Sequence, residues 1–206
     1  GFATINDLSI GISYGNRFLL KELSNKDAGI LLPINIGTIG ISFSQFGYEH
    51  YNENLFGLGL SRSFGQNLRI GLKLYYMSIR FSEEYENRSV PTFDLGIQYQ
   101  INKSLCLGAY IFNPINVRIG SLNKDKVPII MRIGFAYHIV DEFMICGEIE
   151  ENFDDDFSFR FGLEYEAYKN VFVRSGFQLM PCLLTFGIGY DYKRFVVDVA
   201  AQMNQD

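Results

Sequence analysis

Apolar and polar residues alternate with a period of two along most of this chain. In Leu8–Tyr14, Leu8, Ile10, Ile12 and Tyr14 share one parity, and Ser9, Gly11 and Ser13 share the other. Successive side chains of a strand point to opposite faces, so the segment reads as a strand with one apolar face and one small, polar face. The rule recurs: Phe56, Leu58 and Leu60 alternate with Gly57, Gly59 and Ser61, and Leu68, Ile70, Leu72 and Leu74 with Arg69, Gly71 and Lys73. Later, Met131, Ile133, Phe135 and Tyr137 alternate with Arg132, Gly134, Ala136 and His138, and Phe157–Tyr165 and Leu184–Tyr192 behave alike. With a less regular strand at Ala28–Ile34, the pattern predicts thirteen strands in one domain over residues 1–206.

The connections carry a second signal. Asn35–Gly37, Gly65–Asn67, Asn102-Lys103, Val140-Asp141, Tyr168–Asn170 and Lys193-Arg194 have the residues of short turns. Between them fall the longer connections Gly15–Lys26, Gly47–Glu53, Ser82–Val90, Asn113–Val127 and Glu151–Asp156. Leu179–Cys182 is short where a long one is due. Alternating short and long connections are the habit of outer-membrane barrels, with tight periplasmic turns and longer outer loops.

Composition narrows the choice between a soluble sandwich and a membrane barrel. The 206 residues are 48% hydrophobic and 20% charged, and 20 are glycine; mean hydropathy is +0.04. That hydropathy lies between a soluble domain and a helical membrane protein. The apolar parity is nearly free of charge, as a lipid-facing surface requires. Tyr14, Tyr99, Tyr137, Tyr165, Tyr190 and Tyr192 fall at strand ends on that parity, where an aromatic girdle belongs. The expected fold is all-β: an antiparallel up-and-down transmembrane β-barrel in a bacterial outer membrane, with lipid as its surroundings. A soluble β-sandwich or lipocalin-like binding protein is the competing reading. The uncharged run Ala28–Tyr48 is broken by Pro33, Asn35 and Gly37, so it is not read as a transmembrane helix.

Net charge is −5, which disfavours nucleic acid as a partner. The three cysteines, Cys106, Cys146 and Cys182, form neither a disulfide framework nor a zinc motif. The second parity carries charges of both signs. Arg69, Lys73, Asp94, Arg132, Glu148, Arg160, Glu164, Arg174 and Asp198 are expected to form a charge network in the lumen, since buried charges must be paired. The lumen parity also holds Cys106 and Cys146 as small fillers.

Three segments, Asn16–Ser24, Ser42–Tyr48 with Tyr51–Glu53, and Phe112–Pro114, resemble Bacteroidetes outer-membrane proteins. That group is related to the PorV/PorQ proteins of type IX secretion and, more distantly, to FadL-type barrels. The resemblance implies a 14-stranded barrel. It also implies the expected role, that of a non-enzymatic partner for secreted or surface proteins, with passage of small hydrophobic molecules as the alternative. Relative to that group, a plugging N-terminal region and a final aromatic-ended strand are missing. Because strands one and thirteen would run parallel, a fourteenth is expected beyond Asp206.

No catalytic, cofactor or metal site is expected. His50 sits in Tyr48–Tyr51 and His138 at a strand end, and neither belongs to a Ser–His signature. The carboxylates Glu148, Glu150, Glu151, Asp154, Asp155 and Asp156 lack calcium-loop spacing and read as an acidic outer loop, as does Ser82–Glu86.

Overall fold

The computed structural model describes residues 5, 7–16, 20–81, 88–119, 125–153 and 157–204. Thirteen antiparallel strands form a sheet in which neighbours in sequence are neighbours in space. They are β1 (Ser9–Asn16), β2 (Ser24–Ile34), β3 (Gly37–Tyr48), β4 (Tyr51–Phe64), β5 (Leu68–Phe81), β6 (Arg88–Gln100) and β7 (Leu105–Phe112), followed by β10 (Ile130–Val140), β11 (Phe143–Asn152), β12 (Ser158–Tyr168), β13 (Val171–Leu179), β14 (Leu183–Tyr192) and β15 (Phe195–Asn204). The two-residue strands β8 (Arg118–Ile119) and β9 (Asp125–Lys126) pair with each other inside the connection from β7 to β10. Among the described residues, β1 and β15 are the end strands of the sheet order, each with one strand partner.

The chain divides into two compact units. One takes Gly1–Ile97 and Ile111–Ile129; the other takes Gln98–Tyr110 and Ile130–Asp206. In both, the alternation in the sequence becomes an alternation in exposure. Leu58, Leu72 and Leu95 in the first unit, and Ile133, Phe161 and Ile188 in the second, are exposed. Away from the end strands, the opposite parity, with Gly59, Gly71, Gly96, Arg132, Gly162 and Gly189, is buried or half-buried, whereas β1 and β15 are exposed on both faces along nearly all their length. This is the reverse of a soluble domain, in which large apolar side chains are covered. A charge-free band of exposed Leu, Ile, Val and Phe suits hydrocarbon, and hydrogen bonding between strands satisfies the backbone that hydrocarbon leaves without water.

Several boundaries differ from the sequence reading, as β6 starts at Arg88 and β11 runs to Asn152, inside the expected connections Ser82–Val90 and Glu151–Asp156. Gly47–Glu53 is not a long connection: β3 and β4 run on to a two-residue turn at Glu49-His50, with Tyr48 opposite Tyr51. Here both parities become polar, so alternation fades although the ladder continues; Gln45 donates to Asn54 across the pair. For the same reason β2 begins at Ser24 rather than Ala28. At the other end of β3, Gly37 has a φ of 152° and packs against the Ser61 carbonyl, where a Cβ would collide. The expected acidic loop stretches at Ser82–Glu86 and Asp154–Asp156 lie outside the described residues.

Candidate functional site

The less exposed face is the one with chemistry on it. In the first unit its registers are built from small residues. One row runs Gly11–Gly29–Ser42–Gly57–Tyr75 and the next Ser9–Leu31–Gly40–Gly59–Lys73. Glycine and serine keep this face shallow, and a hollow of about 430 Å³ lies beside β1–β3, its lining including Gly11, Leu31, Ile41, Asp27 and Lys73. The Lys73 stem crosses the space that a side chain at Gly57 would fill, and its Nζ stands 4.8 Å from the Tyr75 ring centre. Asp27 accepts hydrogen bonds from Ser13 Oγ at 2.8 Å, Asn25 Nδ2 at 2.8 Å and Ser44 Oγ at 2.6 Å.

A second polar chain on the same face leads to the β7–β10 connection. Tyr75 donates to Asp94 at 2.7 Å and meets Phe112 edge-on, with ring centres 5.7 Å apart. Two residues before Asp94, Thr92 donates to Asn113 Oδ1 at 2.9 Å. Asn113 is fully buried, and its φ of 51° is one that asparagine tolerates. Its Oδ1 also accepts from Val117 N at 3.1 Å, its Nδ2 donates to the Val127 carbonyl at 2.7 Å, and its own N–H donates to the Phe93 carbonyl at 2.9 Å. Leaving any one of these buried groups without a partner costs about 1–3 kcal/mol.

In the second unit the face carries two charged layers. Arg160 bonds Glu148 at 2.8 Å, Glu150 at 2.8 and 2.9 Å, and Gln178 at 3.1 Å; Arg132 closes the group on Glu150 and lies over the Tyr110 ring. Arg174 bonds Glu164 at 2.5 Å and also Asp198. Between the layers runs a row of smaller side chains, Ala136–Cys146–Gly162–Gly176–Thr185–Gln202. A Cβ on Gly162 would press on Cys146 Sγ.

Of the nine charged residues singled out in the sequence, the structure therefore joins Arg132, Glu148 and Arg160 in one cluster, and Glu164, Arg174 and Asp198 in another. Lys73 and Asp94 lie on the same face of the first unit, and Arg69 stands opposite Ser63 near a turn. One reading is corrected: Glu148 and Glu150 do not form an outer acidic loop but lie within β11, paired to arginines. Glu150, Asp27, Gln178 and Asn113 complete these groups. Among the described residues no three His, Cys, Asp or Glu side chains converge as metal ligands.

No protein-family model and no curated protein matches this chain. Solved structures do. The toluene transporter TodX of P. putida aligns with a TM-score of 0.67 at 11% identity, over 86% of this chain and 75% of that one. A FadL homologue of Pseudomonas aeruginosa aligns at 0.63 and 9%, over 87% of this chain and 69% of that one. The KdgM porin aligns at 0.51 and 14%, over 91% and 95%. The fold is that of the outer-membrane β-barrels. Together with the exposed apolar face, it makes this an outer-membrane β-barrel protein and removes the soluble sandwich. The secretion role and the Bacteroidetes origin implied by the PorV/PorQ resemblance draw no support from these structures.

Proposed function

We propose that the protein is an outer-membrane channel for small hydrophobic solutes. The observation that carries this reading is the hollow on the inner face of the first unit. It is kept open by rows of glycine and serine, with Leu31 among its lining, and its size is within the range of small-molecule sites. The fold shared with a toluene transporter and a monoaromatic hydrocarbon channel supports the solute class. The charged layers of the second unit mix both signs, Arg132 and Arg160 with Glu148 and Glu150, and Arg174 with Glu164 and Asp198, so they brace the wall without presenting a single-sign path to ions. The bilayer lipid of the outer membrane is the partner of the opposite face.

The test is uptake in vesicles that contain the purified protein and carry lipopolysaccharide in their outer leaflet, which toluene crosses slowly unaided. Toluene should enter faster than in empty vesicles, while glucose and arabinose should not. Equal acceleration of the sugars would make the protein a general porin. No acceleration of either would remove the channel reading.

A further inference from the structure

Among the described residues, only two apolar side chains are buried: Ile119 and Val127, each 3% exposed. In a protein most of whose large apolar side chains are exposed, a small packed core here needs a reason. Both residues belong to the connection between β7 and β10: Ile119 ends β8, and Val127 directly follows β9. Asn113 staples the two roots of that connection. Its side chain bonds the Val117 N–H on the outgoing root and the Val127 carbonyl on the returning one, and the Val127 N–H bonds the Val117 carbonyl at 3.1 Å.

The staple is fastened to one particular face. Thr92, its partner on β6, has the parity of Asp94 and Gly96, opposite to the exposed Leu95 and Ile97. Tyr75, which bonds Asp94 and touches Phe112 just before Asn113, belongs to the inner row of Gly11 and Gly57. The connection thus leaves β7 on the inner side and is bonded to the inner side of β6. A solvent-facing loop needs none of this: its backbone groups would find water.

We infer that the segments Asn113–Ile119 and Asp125–Ile129 form a fixed strap on the inner face, which limits the size of solute that passes, and that Asn113 is the residue that positions it. The inference rests on the channel reading for its purpose and on the Asn113 and Thr92 hydrogen bonds for its geometry. Thr92→Val cuts the side-chain bond to the wall, leaving the Asn113 N–H on the Phe93 carbonyl, and keeps the staple within the strap. Asn113→Ala cuts both side-chain links.

Two measurements on the full chain test this. In a background with Cys106, Cys146 and Cys182 replaced by serine, Val127→Cys should react slowly with a water-soluble maleimide. Adding Thr92→Val should speed labelling by about tenfold, with the strand signal in circular dichroism unchanged; Leu95→Ala, on the opposite face, should leave labelling unaltered. In vesicles, Thr92→Val should admit a bulkier apolar solute, such as naphthalene, at least about threefold faster relative to toluene than the parent does. Fast labelling of Val127→Cys with Asn113 and Thr92 intact would overturn the strap. Faster labelling without any change in solute preference would overturn its role in selection. If the parent passes no apolar solute at all, the channel reading fails and the strap loses its purpose, while slow labelling would still record its presence.

Discussion

Arg160 on β12 grips Glu150 on β11 with both terminal nitrogens, at 2.8 and 2.9 Å, while one of them also reaches Glu148 at 2.8 Å. One guanidinium therefore joins two carboxylates of the adjacent strand, a geometry that a lysine's single ammonium does not reproduce. Arg160→Met should lower unfolding stability by about 1–2 kcal/mol. Charge-assisted hydrogen bonds contribute more than neutral ones, but these side chains are partly wet, which weakens them. Denaturant unfolding in lipid vesicles reads the loss. A change below a few tenths of a kcal/mol would mean that water already screens the cluster.

Outward and inward positions of one strand should answer oppositely to polarity. Ile133 is 64% exposed on the apolar face of β10, and Ala136 lies on the other. Ile133→Arg should cost about 2–4 kcal/mol in a bilayer if it lies near mid-depth. Ala136→Ser should stay within about 0.5 kcal/mol. Folding yield and stability in vesicles check both, and similar costs for the two would contradict the assignment of faces.

Gly57 and Lys73 should be coupled. A methyl group at position 57 meets Lys73 Cε and Ser42 Oγ, both of which must shift, so Gly57→Ala alone should destabilise by about 1 kcal/mol, at the low end of overpacking. Placed with Lys73→Ala, the same change should cost clearly less. A double-mutant cycle measures the difference, and simple additivity would show that the lysine does not lie over the glycine.

Cys146 should be reachable only from water on the inner side. It is half-buried in the row Ala136–Cys146–Gly162, between two charged layers. A small charged methanethiosulfonate should modify it in vesicles when Cys106 and Cys182 are absent. A bilayer-restricted reagent should not. The reverse result would turn the inner face outward.

The faces were legible in the sequence because a strand's period is fixed by its backbone, whatever surrounds it. Leu58 against Gly59, and Phe161 against Gly162, needed no more than parity. Parity fades where both faces turn polar, so the sequence predicts a long loop at Gly47–Glu53 although the ladder reaches Tyr48 and Tyr51. Glu150 was ambiguous for a related reason: it precedes a run of acids, and only the register opposite Arg132 shows it to be wall rather than loop. Asn113 was out of reach. Asn-Pro reads as a loop start, while its partners Thr92 and Val127 are 21 and 14 positions away, and nothing local encodes them.

The central claim, that apolar solute enters the inner face while lipid covers the outer one, is tested most directly by magnetisation transfer. Protonated toluene is added to the protein in deuterated detergent, and cross-relaxation to assigned methyl groups is measured. The account predicts transfer to Leu31, which lines the hollow, well above that to Leu58 and Ile188 on the exposed face. Transfer to Leu58 and Ile188 alone, as any oil-soluble molecule in the detergent belt would give, would contradict it.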